Sequence, residues 1–172
     1  MPLRMAEYEN CEFINCDFGG AVFSGIVFID CRFTSCNLAN AKIVHTAFRG
    51  ADFKDCKMVG LLFESCDEFL LGFSFDKCVL SMSSFFKLKI KNTSFKSCIL
   101  HDVEFTQADL TGSVFNNCDF ANARFGNTIL TKADFTTAIN LMLDPEKNNL
   151  KKAKFALQGL PGLLSKYDLK IV

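Results

Sequence analysis

The chain has no tryptophan, only two histidines and three prolines, and no net charge, with 19 basic and 19 acidic side chains among 172 residues. The even charge balance leaves no electrostatic footprint for direct nucleic-acid binding or for an anionic membrane surface. Long apolar runs are missing as well. The richest, Phe69 to Phe75, is seven residues long and holds Gly72 and Ser74, far short of the ~20 residues of a membrane span. His45 and His101 fall in no zinc-binding or nucleophile motif, and no glycine-rich phosphate loop is present. Met1-Pro2-Leu3-Arg4 leads straight into patterned sequence without a secretory signal, so the expectation is a single-domain cytoplasmic protein.

What the chain has in abundance is phenylalanine, 20 residues, and cysteine, nine residues. The phenylalanines keep a five-residue beat. From Tyr8 through Phe13, Phe18 and Phe23 to Phe63, every fifth residue is large and apolar, and the beat resumes from Leu80 through Phe85 and Ile90 to Phe135. All 24 beat positions are apolar in a chain that is 49% hydrophobic, at chance odds of roughly one in ten million or worse. Neither a helix, with period 3.6, nor a strand, with period 2, yields this spacing. Two residues, i−2 and i, face inward and three face outward, which suits a short extended segment ending in a corner. Segments joined this way wind into a coil. Gly19-Gly20 and Gly60 fall at corners, where a permissive backbone is useful.

The cysteines obey the same beat. Cys11, Cys16, Cys31, Cys36, Cys56, Cys78, Cys98 and Cys118 each stand two residues before a beat residue, and Cys66 keeps the first register where it is about to fail. Their slot holds Ala, Ser, Thr or Cys in 20 of 24 repeats, so they are read as small packing residues in a reducing compartment. Cys16, Cys36 and Cys56 recur every 20 residues, as do Cys78, Cys98 and Cys118, which implies a coil of four segments. Allowing for a two-residue slip, all six form one inner column. Structural zinc wants four ligands converging on a point, which a straight ladder does not supply. No metal or other cofactor is expected.

Stretches such as Ala51-Asp52-Phe53, Ala108-Asp109-Leu110-Thr111-Gly112 and Ala133-Asp134-Phe135 resemble the A-(D/N)-(L/F)-x-x motif of pentapeptide-repeat proteins over roughly residues 6 to 140. That resemblance implies an all-β fold, a right-handed quadrilateral β-helix with four pentapeptides per coil. The expected division is a β-helix over residues 1–140 and a C-terminal segment over 141–172.

Two departures from the beat are the candidate sites. Between Phe63 and Leu80 lie 17 residues where the beat allows 15, so the segment 66–75 holds two extra residues, as one bulge or as two insertions at successive corners. It is either a structural kink or a recognition bump presenting Asp67, Glu68 and Phe69 to a protein partner. Past Ala138, Asp144-Pro145-Glu146 reads as a helix start, Phe155 returns to the beat, and a second helix is expected near Pro161. Leu157, Leu160, Leu163, Leu164 and Tyr167 then follow helical spacing, and Leu169 to Val172 reads as a strand-like tail. The tail caps the last coil or mediates a homodimer through Leu160, Leu163, Leu164, Tyr167, Leu169 and Ile171. The quinolone-resistance members of the family, which protect DNA gyrase, end in a similar dimerising helix.

The outward carboxylates Glu7, Glu12, Asp17, Asp52, Asp109, Asp119 and Asp134 are scattered and unpaired, so the chain is read as a non-enzyme. The leading expectation is a non-catalytic scaffold that binds a protein partner through a solenoid face or the bulge. The alternative, from the resemblance, is a DNA-mimicking modulator of DNA gyrase that confers quinolone protection. Residues 1–140 carry 16 acidic and 13 basic side chains, a net −3, with a local cluster at Lys87, Lys89, Lys91 and Lys96. Strong mimicry of duplex DNA would need a more acidic surface.

Overall fold

Nearly every pentapeptide turns because the second residue after the large one adopts the left-handed region; after Phe63 a 3₁₀ turn takes its place. Examples are Asn10 (φ 52°), Asn15 (φ 53°), Asp30 (φ 48°) and Asn40 (φ 56°). Asn and Asp tolerate this region better than other residues with a Cβ. The acidic or amide residue before the large one secures the corner. Asp109 Oδ1 accepts the Thr111 amide at 3.1 Å and its hydroxyl at 2.6 Å, Asp134 accepts the Thr136 amide at 3.0 Å, and Asn37 accepts that of Ala39 at 3.2 Å. Here lies the physical content of the A-(D/N)-(L/F) motif.

The computed structural model describes residues 3–170. It is a parallel β-solenoid of about 7 turns of ~20 residues, closed by a short C-terminal helix. The strands are β1 (Glu7–Glu9), β2 (Glu12–Ile14), β3 (Val27–Ile29), β4 (Arg32–Thr34), β5 (Ala47–Lys54), β6 (Asp67–Asp76), β7 (Ser94–Lys96), β8 (Val114–Asn116), β9 (Asp134–Phe135) and β10 (Lys154–Phe155). All pair in parallel, and in the first coils the register steps by 20, as in Tyr8 with Phe28 and Phe28 with Phe48.

The four sides differ inside. The first carries Tyr8, Phe28, Phe48, Ile90, Leu110 and Leu130. The second is all phenylalanine: Phe13, Phe33, Phe53, Phe75, Phe95, Phe115, Phe135 and Phe155 stack at 4.7–5.5 Å with rings within 19° of parallel. The third pairs the cysteine column with Phe18, Leu38, Met58, Leu80, Leu100 and Phe120, and the fourth holds Phe23, Ile43, Phe63, Phe85, Phe105 and Phe125. Twelve phenylalanines are fully buried. Each contributes roughly 1.5–3 kcal/mol by leaving water.

The six-cysteine column is continuous across the slip, because Lys57 bridges to Val79 and Val79 to Ile99. All nine cysteines are free thiols. The Sγ atoms of Cys36, Cys56, Cys78, Cys98 and Cys118 donate to the carbonyls of Phe13, Phe33, Phe53, Phe75 and Phe95, one coil back, at 3.2–3.6 Å. Thr46, Ser83 and Thr128 make the equivalent bond at 2.8–2.9 Å to Phe23, Met58 and Phe105. The slot therefore accepts a small residue, and in these eight repeats the donor it brings finds a carbonyl. Burial pushes the Cys36 thiol up to about 11 and, with Glu64 and Asp67 adding to it, the Cys66 thiol up to about 12.

The C-terminal segment departs from the sequence reading in two places. Asp144-Pro145-Glu146 starts no helix. It forms a turn in which Asp144 Oδ1 accepts the Glu146 amide at 2.9 Å and its carbonyl accepts the Lys147 amide at 3.2 Å. The segment is still completing the last coil, where Ile129 bridges to Asn149, so tertiary pairing overrides the local helix signal. Phe155 pairs with Phe135 as the beat demands. Helix α1 (Leu160–Leu164), flanked by single 3₁₀ turns at Leu157–Gly159 and Ser165–Tyr167, then folds onto that coil. Leu169 and Lys170 form no strand, and Ile171 and Val172 lie outside the described residues.

Candidate functional site: the bulge and the tail

Strand pairing locates the slip. Ala47 faces Asp67, 20 residues on, whereas Arg49 faces Gly72, 23 residues on, and from Ala51 with Phe73 the step settles at 22. Both extra residues therefore lie in one bulge on the first side, inside β6. With Arg49 paired to Gly72, Leu71 falls in line with Phe48 at the large-residue position, and Leu70 just before it is left-handed (φ 57°) and 66% exposed. Half-buried Leu71 packs on the core, and Phe73 enters a slot that other coils give to a small residue. Its ring lies 5.4 Å from Phe63 and 5.1 Å from Phe75.

On the outside, Phe69 is 64% exposed, and the Arg49 guanidinium stands over its ring at 5.3 Å. Half-buried Asp67 turns its carboxylate to the Phe69 amide at 2.9 Å, so it shapes the bulge from within, while Glu68 is exposed. The projecting pair is thus Phe69 and Leu70. Leu70 and Arg49 escaped sequence reasoning, because only the position of the slip decides which residue of Leu70-Leu71 turns out. At the bulge, two adjacent large apolar side chains, Phe69 and Leu70, are exposed together.

The tail supplies a second surface. Leu163 packs against the core, and Gly162 lies against the Leu141 backbone, its carbonyl accepting the Leu143 amide at 3.3 Å. Lys166 Nζ reaches Asp144 at 2.7 Å and Glu146 at 2.6 Å, and the Tyr167 hydroxyl donates to Glu146 at 2.6 Å. The Lys166 ammonium holds the Asp144 carboxyl below the usual carboxylate range, and Lys166 together with the Tyr167 hydroxyl does the same for Glu146. Leu157, Leu160, Leu164, Tyr167 and Leu169 stay exposed. Between α1 and the last coil lies a cleft of about 740 Å³ lined by Phe135, Ile139, Leu141, Met142, Phe155 and Pro161, with no acid, base or thiol in its wall. Among the described residues, no group of three or more His, Cys, Asp or Glu is placed to hold a metal ion. No helix among them is long and apolar enough to cross a membrane.

A four-sided parallel solenoid built from large-small pairs at five-residue intervals defines a class of repeat protein. The family model described as a pentapeptide repeat region matches residues 6–68 and 60–135, and the chain belongs to that family. Among solved structures, trypsin-treated QnrB1, a plasmid-mediated fluoroquinolone resistance protein, is similar with a TM-score of 0.73 and 20% identity, covering 99% of this chain and 95% of that one. A second trypsin-treated form matches at 0.70 and 20%, covering 96% and 91%. The full-length form matches at 0.52 and 21%, covering 95% and 90%. At such identity the likeness is one of fold. No curated protein sequence matches significantly.

Proposed function

We propose that the chain is a non-catalytic cytoplasmic scaffold that docks a protein partner on its first side, with Phe69 and Leu70 as the anchors. The carrying observation is this exposed apolar pair, Phe69 at 64% and Leu70 at 66%, at the middle of the first side. Exposed apolar residues that project together are where interfaces concentrate their energy. A solenoid side also presents its contacts already ordered, so little conformational entropy is lost on docking. The filled core and a cleft without acid or base support a non-enzymatic role. Nine free thiols support a reducing compartment. The exposed row Leu157, Leu160, Leu164, Tyr167 and Leu169 supports a homodimer contact at the tail.

The test is a comparative pull-down with wild type and a Phe69→Ser/Leu70→Ser variant of equal thermal stability. Partners retained by wild type and lost by the variant support the reading; an unchanged set of retained proteins sinks it.

A second reading is modulation of DNA gyrase, favoured by fold similarity to a fluoroquinolone resistance protein along almost the whole chain. The net −3 of residues 1–140 and the lysines of the first side weaken DNA mimicry. In a supercoiling assay with gyrase and a fluoroquinolone, no inhibition and no protection at micromolar protein would remove it.

A further inference from the structure

The charges of the first side form a pattern along the solenoid axis. Taken coil by coil, its outward residues begin with Glu7 and Glu9, then Val27, Ile29 and Asp30, then Arg49, then the bulge with Asp67 and Glu68. Below the bulge come Lys89 and Lys91, then Asp109 and Thr111, then Ile129 and Lys132, then Asn149, Lys151 and Lys152. Three of the upper four tiers carry carboxylates, and three of the lower four carry lysines. The tiers are tied by parallel bridges, as in Lys89 with Asp109, Asp109 with Ile129 and Ile129 with Asn149.

On the neighbouring second side, charges pair within the chain. Arg32 meets Glu12 at 3.0 Å, Lys96 meets Asp76 at 3.3 Å, and Lys154 meets Asp134 at 3.2 Å. The first side has one such pair, Lys91 with Asp109 at 3.2 Å. Among the described residues, Glu7, Glu9, Asp30, Lys89, Lys132, Lys151 and Lys152 make none, and all seven are exposed.

We propose that the first side docks a second copy of this chain, antiparallel, about a two-fold axis that passes beside the bulge. It rests on the reading of the bulge as a protein-docking site and names its occupant. In this arrangement the first tier opposes the eighth and the fourth opposes the fifth. Glu9 then faces the partner's Lys151 in the same column, Asp30 faces the partner's Lys132 at the same corner, and Asp67 faces the partner's Lys89. Val27 faces the partner's Ile129, an apolar pair. The two bulges meet at the axis, which places Phe69 and Leu70 of both copies at the centre and the charges around them, the usual anatomy of an interface. Such a contact is self-complementary and closes at two copies. Parallel packing would instead set carboxylates on carboxylates and lysines on lysines.

The size of the contact sets its strength. Eight tiers at ~4.8 Å and a side ~10 Å wide offer roughly 350 Å² per copy before the bulges are added, at the weak end of specific interfaces. The dimer is therefore weak and sensitive to salt, because its rim charges are exposed.

The test is sedimentation equilibrium of the full chain in a Leu160→Glu/Leu164→Glu background, which removes the tail contact. One variant adds Glu7→Lys/Glu9→Lys/Asp30→Lys; another adds Lys132→Glu/Lys151→Glu/Lys152→Glu. Each alone should be monomeric at 50 μM, and an equimolar mixture should form dimers, because the reversed charges at positions 9 and 30 of one variant then meet those at 151 and 132 of the other with opposite sign. Raising salt from 50 to 500 mM should weaken the background dimer at least about tenfold. A monomeric mixture, or charge variants that self-associate as well as the background, overturns the inference. If it falls while Phe69→Ser/Leu70→Ser still loses partners in the pull-down, only the second copy is wrong. If both fail, the docking role of the bulge fails with it.

Discussion

The cysteine column allows a decisive substitution series at Cys56, which is buried and donates to the Phe33 carbonyl at 3.4 Å. If the column is packing and nothing else, Cys56→Ser should keep the bond, since Ser83 and Thr46 make it at 2.8 Å in equivalent slots. The cost is then the lost apolar contact of sulfur, about 1 kcal/mol. Cys56→Ala loses a weak bond and leaves a void of about one atom, about 1–2 kcal/mol. Cys56→Leu must force a branched side chain between the stacked coils, at about 1–3 kcal/mol or more. Reversible urea denaturation reads all three. In the native protein, a thiol reagent at neutral pH should react quickly only with half-exposed Cys11 and Cys16, because the stacked coils bury the other seven away from the reagent. The reasoning is refuted if Cys56→Ser costs more than about 3 kcal/mol while Cys56→Leu is tolerated. Rapid reaction of the seven buried thiols would refute it equally.

Phenylalanines of the bulge should respond oppositely. Phe73→Ala should cost about 3–5 kcal/mol by urea denaturation, because it empties the core at the slip, whereas Phe69→Ala should stay within about 0.5 kcal/mol. Gly162→Ala should undock α1, since an added Cβ would collide with the Leu141 carbonyl. Hydrogen exchange should then rise across residues 157–167 and stay unchanged in the solenoid. The Asp144 and Glu146 carboxyls are held low by Lys166, so their contribution is complete above the ordinary carboxylate range near ~4 and lost as pH falls below it. Tyr167 fluorescence in a Tyr8→Phe background should report release of the tail on acidification, before the solenoid unfolds.

The beat made the interior legible in advance because a solenoid repeats one local solution, and each repeat obeys the same spacing. The phenylalanine and cysteine columns and the return at Phe155 all follow from counting. Asp144-Pro145-Glu146 misled because its helix signal is local, while its conformation is set by pairing with the coil beneath. Asp67 and Glu68 could be placed in the bulge by counting, yet Asp67 turned out to brace the bulge from within and Leu70 to project from it. Which way a side chain points at an irregularity depends on where the extra residues are absorbed, and spacing carries no information about that.

By itself, the sequence determined the fold, the coil length, the packing role of the cysteines and the two places where regularity fails. Those are consequences of period, and period is visible in one dimension. Only the tertiary structure decided which residues share a side. Glu9 and Lys151 are 142 positions apart in the chain, and their common column exists only once the coils are stacked. The unpaired charges of the first side, and the exposed Phe69 and Leu70 at its middle, acquire meaning from that stacking alone.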